Sequence, residues 1–122
     1  MSPVRYAVLV VEDDPLLRMH AMDVVHDAGC IPVEAKNADE AIEILQARSD
    51  ITVLFTDVQM PGSMDGVKLA HFVRERWPPV KIIVTSGFKH VTPDQLPSGS
   101  VFLGKPYLPD QLTRHIRSLV DA

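Results

Sequence analysis

Apolar positions gather in five short runs, at residues 6–11, 31–35, 51–56, 81–85 and 101–103, rich in β-branched and aliphatic side chains and bounded by Gly, Pro, Asp or Asn. Three of these runs are almost continuously apolar, the pattern of parallel strands buried on both faces. Between them the apolar positions repeat at helical spacing. Leu17, Ala21, Val24, Val25 and Ala28 share one face, with Pro15 at a first-turn position and Gly29 suited to the left-handed residue past a helix end. Ala38, Ala41, Ile42 and Leu45 form a second stripe, opened by Asn37 as N-cap with Glu40 three residues on. Leu69, Ala70, Val73 and Trp77 form a third, stopped by Pro78 and Pro79, and Leu112, Ile116, Leu119 and Val120 form the last. This alternation predicts an α/β fold with a five-stranded, doubly wound parallel sheet. In such sheets ligands bind in the crevice outside the carboxyl ends of the strands.

Composition narrows the range of functions. With 122 residues, 46% hydrophobic and 23% charged, the chain has the material for one ordinary domain and one core. No apolar run approaches the ~18 residues of a membrane span, and the start lacks a secretory pattern, so a cytoplasmic protein with no membrane partner is expected. Cys30 is the lone cysteine, and no Cys/His pair has zinc-ligand spacing. Sixteen acids against twelve bases give a net charge of −4, which argues against nucleic-acid binding, since that depends on clustered Lys and Arg. The five histidines share no spacing that makes a metal site, so packing and surface roles are expected of them.

The strand ends carry the chemistry. Glu12, Asp13 and Asp14 follow the first strand, Asp57 ends the third, Thr85 ends the fourth, and Gly104, Lys105 and Pro106 follow the fifth. An acidic first turn is the opposite of a Gly-rich phosphate cradle, and bare carboxylates repel phosphate unless a cation intervenes. Hard oxygen ligands without His or Cys favour Mg²⁺. In a phosphoryl-transfer site Asp57 is the nucleophile, and Asp13 and Asp57 hold the metal, with Glu12 reaching it directly or through water. Lys105 supplies positive charge to the phosphoryl oxygens, and the Thr85 hydroxyl donates to them. Asp14 is expected to cap the first helix instead of binding metal.

Glu12 and Asp13 after a VLVV strand, Asp57 followed by Met60, Pro61, Asp65 and Gly66, Thr85 at a strand end, and Lys105 before Pro106 together resemble the receiver (CheY-like) domain of two-component response regulators. The resemblance covers essentially the whole chain. It implies the flavodoxin-like strand order 2-1-3-4-5 and a single receiver domain over residues 1–122 with no output domain. It further implies that Asp57 takes a phosphoryl group from a sensor histidine kinase or histidine phosphotransfer protein, and that a downstream protein then reads the signal by contact. The Gln59 carbonyl would be a further Mg²⁺ ligand, the Lys105–Pro106 bond cis, and Thr85 with Phe102 the switch pair. Chemistry would be limited to self-catalysed phosphotransfer and autodephosphorylation.

Three departures from the family pattern stand out. Residues 62–64, Gly-Ser-Met, add one position to the loop beside Asp57. The switch aromatic is Phe102, not the frequent Tyr. In 88–100, where receivers carry their fourth helix, Pro93 and Pro97 limit any helix to a turn or two, so that helix is expected to be short or irregular and the output face remodelled. Two other functions compete. A phosphatase with an aspartyl nucleophile needs a general acid two residues later, and Gln59 stands there. A pseudo-receiver would bind partners without phosphorylation, but a scaffold has no need of the full acidic, hydroxyl and lysine set; a phosphate sink, which drains a kinase through Asp57, is the remaining alternative.

Overall fold

The structure, a computed structural model, describes residues 5–62, 64–87 and 91–121. The elements are β1 (Ala7–Val11), α1 (Pro15–Asp27), β2 (Ile31–Ala35), α2 (Ala38–Ala47), β3 (Ile51–Asp57), α3 (Gly66–Arg76), β4 (Lys81–Ser86), a single 3-10 turn (Pro93–Gln95), β5 (Val101–Gly104) and α4 (Pro109–Val120). The strands form one sheet in the order β2-β1-β3-β4-β5, and every pairing is parallel. This is the doubly wound arrangement expected from the alternating runs.

Side-chain alternation along β1 divides the core in two. Ala7, Leu9 and Val11 pack toward α2 and α3, with Ala41, Leu45, Leu69 and Val73. Val8 and Val10 pack toward α1 and α4, with Ala21, Val25, Leu112 and Ile116. All five β1 residues are buried, which explains why the strand reads as an unbroken apolar run.

Local chemistry sets the helix starts. Asp14 accepts from the Leu16 and Leu17 amides at 2.9 and 3.2 Å, so it is the α1 cap the sequence pointed to. Asn37 accepts from the Glu40 amide at 2.9 Å, and Asp65 from the Lys68 amide at 2.9 Å. Gly29 has φ 87°, the left-handed conformation that ends α1. One expected core position differs: Leu17, placed on the inward stripe of α1, is 46% exposed and belongs to neither side of the core.

Between β4 and β5 the described residues contain no α-helix. The Pro93–Gln95 turn is held by the Thr92 amide donating to Gln95 Oε1 at 2.7 Å, and His71 Nε2 lies 2.7 Å from the Gln95 carbonyl oxygen. Leu96 is buried and joins the α2/α3 side of the core, so a single side chain covers part of what a helix would. Residues 88–90 of the stretch considered in the sequence, and Ser63 of the extended loop, lie outside the described residues. Leu96→Ala is expected to cost about 2 kcal/mol, the low end for a buried leucine, measured by urea denaturation. A loss under ~0.5 kcal/mol would mean that this segment does not close the core.

Candidate functional site

The parallel register brings four strand ends to one edge. Asp57 is paired with Thr85, and Thr85 with Leu103, two residues before Lys105. Two main-chain bonds continue the ladder past the strands, with the Val58 amide donating to the Thr85 carbonyl at 3.0 Å and the Lys105 amide to the Ser86 carbonyl at 2.9 Å. The Lys105–Pro106 bond is cis. On the other side of β3, the exit of β1 is fixed by the Glu12 amide, 3.1 Å from the Ala35 carbonyl, and by Arg18. The Arg18 guanidinium donates to the Glu12 carbonyl at 2.9 Å and to Glu34 Oε1 at 3.0 Å.

Glu12 and Asp57 are buried, Asp13 is exposed, and one carboxylate oxygen from each lies within 4.8 Å of the others. Lys105 Nζ sits 3.0 Å from Asp57 Oδ2 and 3.6 Å from Glu12 Oε2. The Gln59 amide donates to Asp57 Oδ1 at 3.3 Å, while its side chain is exposed on the loop leaving β3. The Thr85 hydroxyl is buried and has no hydrogen-bond partner among the described residues. A buried hydroxyl without a partner is costly, so this one is poised for an acceptor that arrives from outside. Phe102, paired in register with Val84, is 37% exposed. The four described histidines are exposed or half-buried, and none belongs to the acidic cluster.

Crowding of the acids has a measurable consequence. Burial, a hydrogen bond with the Asp57 carboxyl and the Asp57 charge push Glu12 from its ordinary 4.5 up to about 8, with Lys105 opposing and Asp13 adding to the rise. At neutral pH Glu12 therefore holds its proton, and the Lys105 charge is matched by Asp57, the nearer of its two partners. Between pH 4.5 and about 8 the folded chain keeps a proton that the unfolded chain releases. The Glu12 contribution is thus fully present below 4.5 and lost as pH rises through 8. In metal-free buffer, Glu12→Gln should gain stability relative to the parent as pH climbs through that window, read from urea melts at several pH values. A constant difference would refute the assignment.

Two features of the site were not legible in the sequence. A Cβ on Gly66 would lie 2.0 Å from the Asp57 carbonyl oxygen and 2.8 Å from the Val58 Cα, so the start of α3 rests directly on the main chain that carries Asp57. The Gly66 amide donates to the Val58 carbonyl at 2.8 Å across this contact. Tyr107 packs edge-on against Phe55, 5.8 Å between centroids, and its hydroxyl is pushed up to about 12 by burial and by the Glu12 and Asp57 charges.

A cluster of three carboxylates with no nitrogen or sulfur ligand, beside an unpartnered hydroxyl, has the donor chemistry of a Mg²⁺ site that also receives an oxyanion. No helix among the described residues is long and apolar enough to cross a membrane.

Comparison with known proteins agrees with this geometry. The response regulator receiver protein CpdR of Brucella abortus (strain 2308) is 33% identical over 117 residues, which cover 93% of this chain and 90% of CpdR. The sensor kinase CckA of the same organism is 30% identical over 118 residues, 93% of this chain but only 12% of the kinase. In structure, the response regulator receiver protein from Sinorhizobium medicae WSM419 superposes with a TM-score of 0.84 at 26% identity, covering 97% of this chain and 96% of that one. The family model for the response regulator receiver domain matches residues 8–117, from the second residue of β1 to the last turn of α4, and the chain belongs to that family.

Proposed function

We propose that this receiver domain accepts a phosphoryl group on Asp57, in a Mg²⁺-dependent reaction, from a phosphohistidine on a sensor kinase or histidine phosphotransfer protein. The phosphorylated domain then signals by contact with a downstream protein. The observation that carries the reading is the position of Asp57: one carboxylate oxygen is on Lys105, the neighbouring acids are within ligand distance, and the unpartnered Thr85 hydroxyl is alongside.

Asp13, Asp57 and the Gln59 carbonyl, with Glu12 directly or through water, would hold Mg²⁺. When bound, the ion supplies positive charge that lets a phosphoryl dianion approach the carboxylates. Asp57 attacks phosphorus with a carboxylate oxygen and the imidazole of the donor leaves, giving an aspartyl phosphate. Lys105 shifts from the carboxylate to a phosphoryl oxygen, and Thr85 donates its hydroxyl to another. That gives the buried hydroxyl the acceptor it lacks and draws the end of β4 toward the phosphoryl group, with Phe102 as the neighbouring aromatic that responds. Phosphorylation acts by shifting a two-state equilibrium, not by turnover. Gln59 offers no general acid for rapid ester hydrolysis, which favours this reading over a phosphatase.

CpdR, a response regulator receiver protein matched over 90% of its own length, supports the reading of this chain as a receiver. Two measurements test the proposal. Mg²⁺ at ten times its Kd should stabilise the domain by about 1.4 kcal/mol, raising the melting temperature by roughly 5 °C. A small-molecule phosphodonor should add one phosphoryl group by intact mass in Mg²⁺ and none in EDTA. Labelling that is indifferent to EDTA, or steady release of phosphate from simple esters, would refute it.

A further inference from the structure

The cavity that opens at Asp57 is larger than a phosphoryl group needs. It has a volume of about 470 Å³, within the ~300–1,000 Å³ typical of small-molecule sites. Glu12, Asp57, Thr85 and Lys105 line its polar part, and Leu17, Ala21, Phe55, Pro106 and Tyr107 line the rest. The aromatic wall is fixed: Tyr107 stands at 90° to Phe55, with the His20 ring 6.4 Å from Tyr107. Leu17 lies half out of the fold at this opening, so its exposure on α1 is explained if its side chain is one wall of a binding cavity.

We infer that in the Mg²⁺-loaded protein this cavity binds a small aromatic oxyanion and that its occupancy excludes phosphodonors from Asp57. The oxyanion would pair with Lys105 Nζ and accept from the Thr85 hydroxyl, a buried donor with no hydrogen-bond partner among the described residues. The aromatic ring would be buried among Leu17, Ala21, Phe55 and Tyr107, where edge-to-face contacts are available. Charge gives the ligand its condition. The Asp57 and Asp13 carboxylates beside one ammonium repel an anion until a divalent cation offsets them, so binding requires Mg²⁺. This inference rests on the receiver chemistry proposed for the polar part of the cavity and adds a class of regulator for it.

The probes are phenylphosphonate and methylphosphonate, which share a head group and cannot transfer it, titrated into the full chain with Mg²⁺ and followed by NMR. Burial of the ring should make phenylphosphonate bind at least about tenfold more tightly, with contacts from its ring protons to Leu17 and Tyr107. Leu17→Trp, at an exposed position on α1, should fill the opening and bring the affinity ratio toward one. Phenylphosphonate should also slow labelling of Asp57 competitively. Equal affinities, ring contacts elsewhere on the surface, or undiminished binding in EDTA would overturn the inference. Equal affinities with normal Asp57 labelling would remove the aromatic site and leave the receiver reading standing. Absence of both labelling and phosphonate binding would remove both.

Discussion

Gly66→Ala is expected to destabilise the fold by ~3 kcal/mol and to abolish Mg²⁺-dependent labelling, although it replaces none of the acidic, hydroxyl and lysine residues of the site. The new methyl group would sit 2.0 Å from the Asp57 carbonyl oxygen and 2.7 Å from the carbon that bears it. These are main-chain atoms of a central strand, paired with β4 on one side, so they cannot swing away as the end of a flexible side chain would. Either α3 lifts, breaking the Gly66–Val58 hydrogen bond, or Asp57 is driven from its place beside Lys105. Chemical denaturation with a parallel labelling assay reads both outcomes. A Gly66→Ala protein with parental stability and full labelling would show that the contact is not needed.

Asp57→Ala should abolish phosphoryl labelling completely, since no other described carboxylate combines burial, a lysine contact at 3.0 Å and the neighbouring hydroxyl. The same substitution has a second, independent effect. Two of the causes that hold Glu12 near 8, its hydrogen bond with Asp57 and the Asp57 charge, disappear, and Lys105 is left to pair with Glu12 alone. The Glu12 carboxyl should therefore titrate at lower pH in Asp57→Ala than in the parent, visible by carboxyl-detected NMR. An unchanged Glu12 titration would mean that burial alone sets its proton affinity.

The residues explain why some of this was legible in the sequence and some was not. β1, β3 and β4 are buried on both faces, so a nearly continuous apolar run was enough to identify them, and Asp14 and Asn37 signalled helix starts through local chemistry that needs no tertiary partner. Pro93 and Pro97 showed that a helix would fail before β5, and the 3-10 turn is what forms instead. Leu17 was misplaced because periodicity records which face a residue shares, not whether other side chains cover it there. The Gly66 contact, the Thr85 hydroxyl without a partner and the proton on Glu12 all depend on segments that meet only in the folded chain. For those, the motif pattern located the site and the packing supplied its energetics.

The central claim is that Asp57 carries the phosphoryl group. An aspartyl phosphate is cleaved reductively by borohydride to leave homoserine at the modified position, so the labelled protein can be reduced, digested and sequenced by tandem mass spectrometry. The account predicts homoserine at position 57 and nowhere else, dependent on Mg²⁺ during labelling. A reduced residue at Asp13 or Glu12, or a borohydride-resistant phosphoryl group on a hydroxyl side chain such as Thr85, would contradict it.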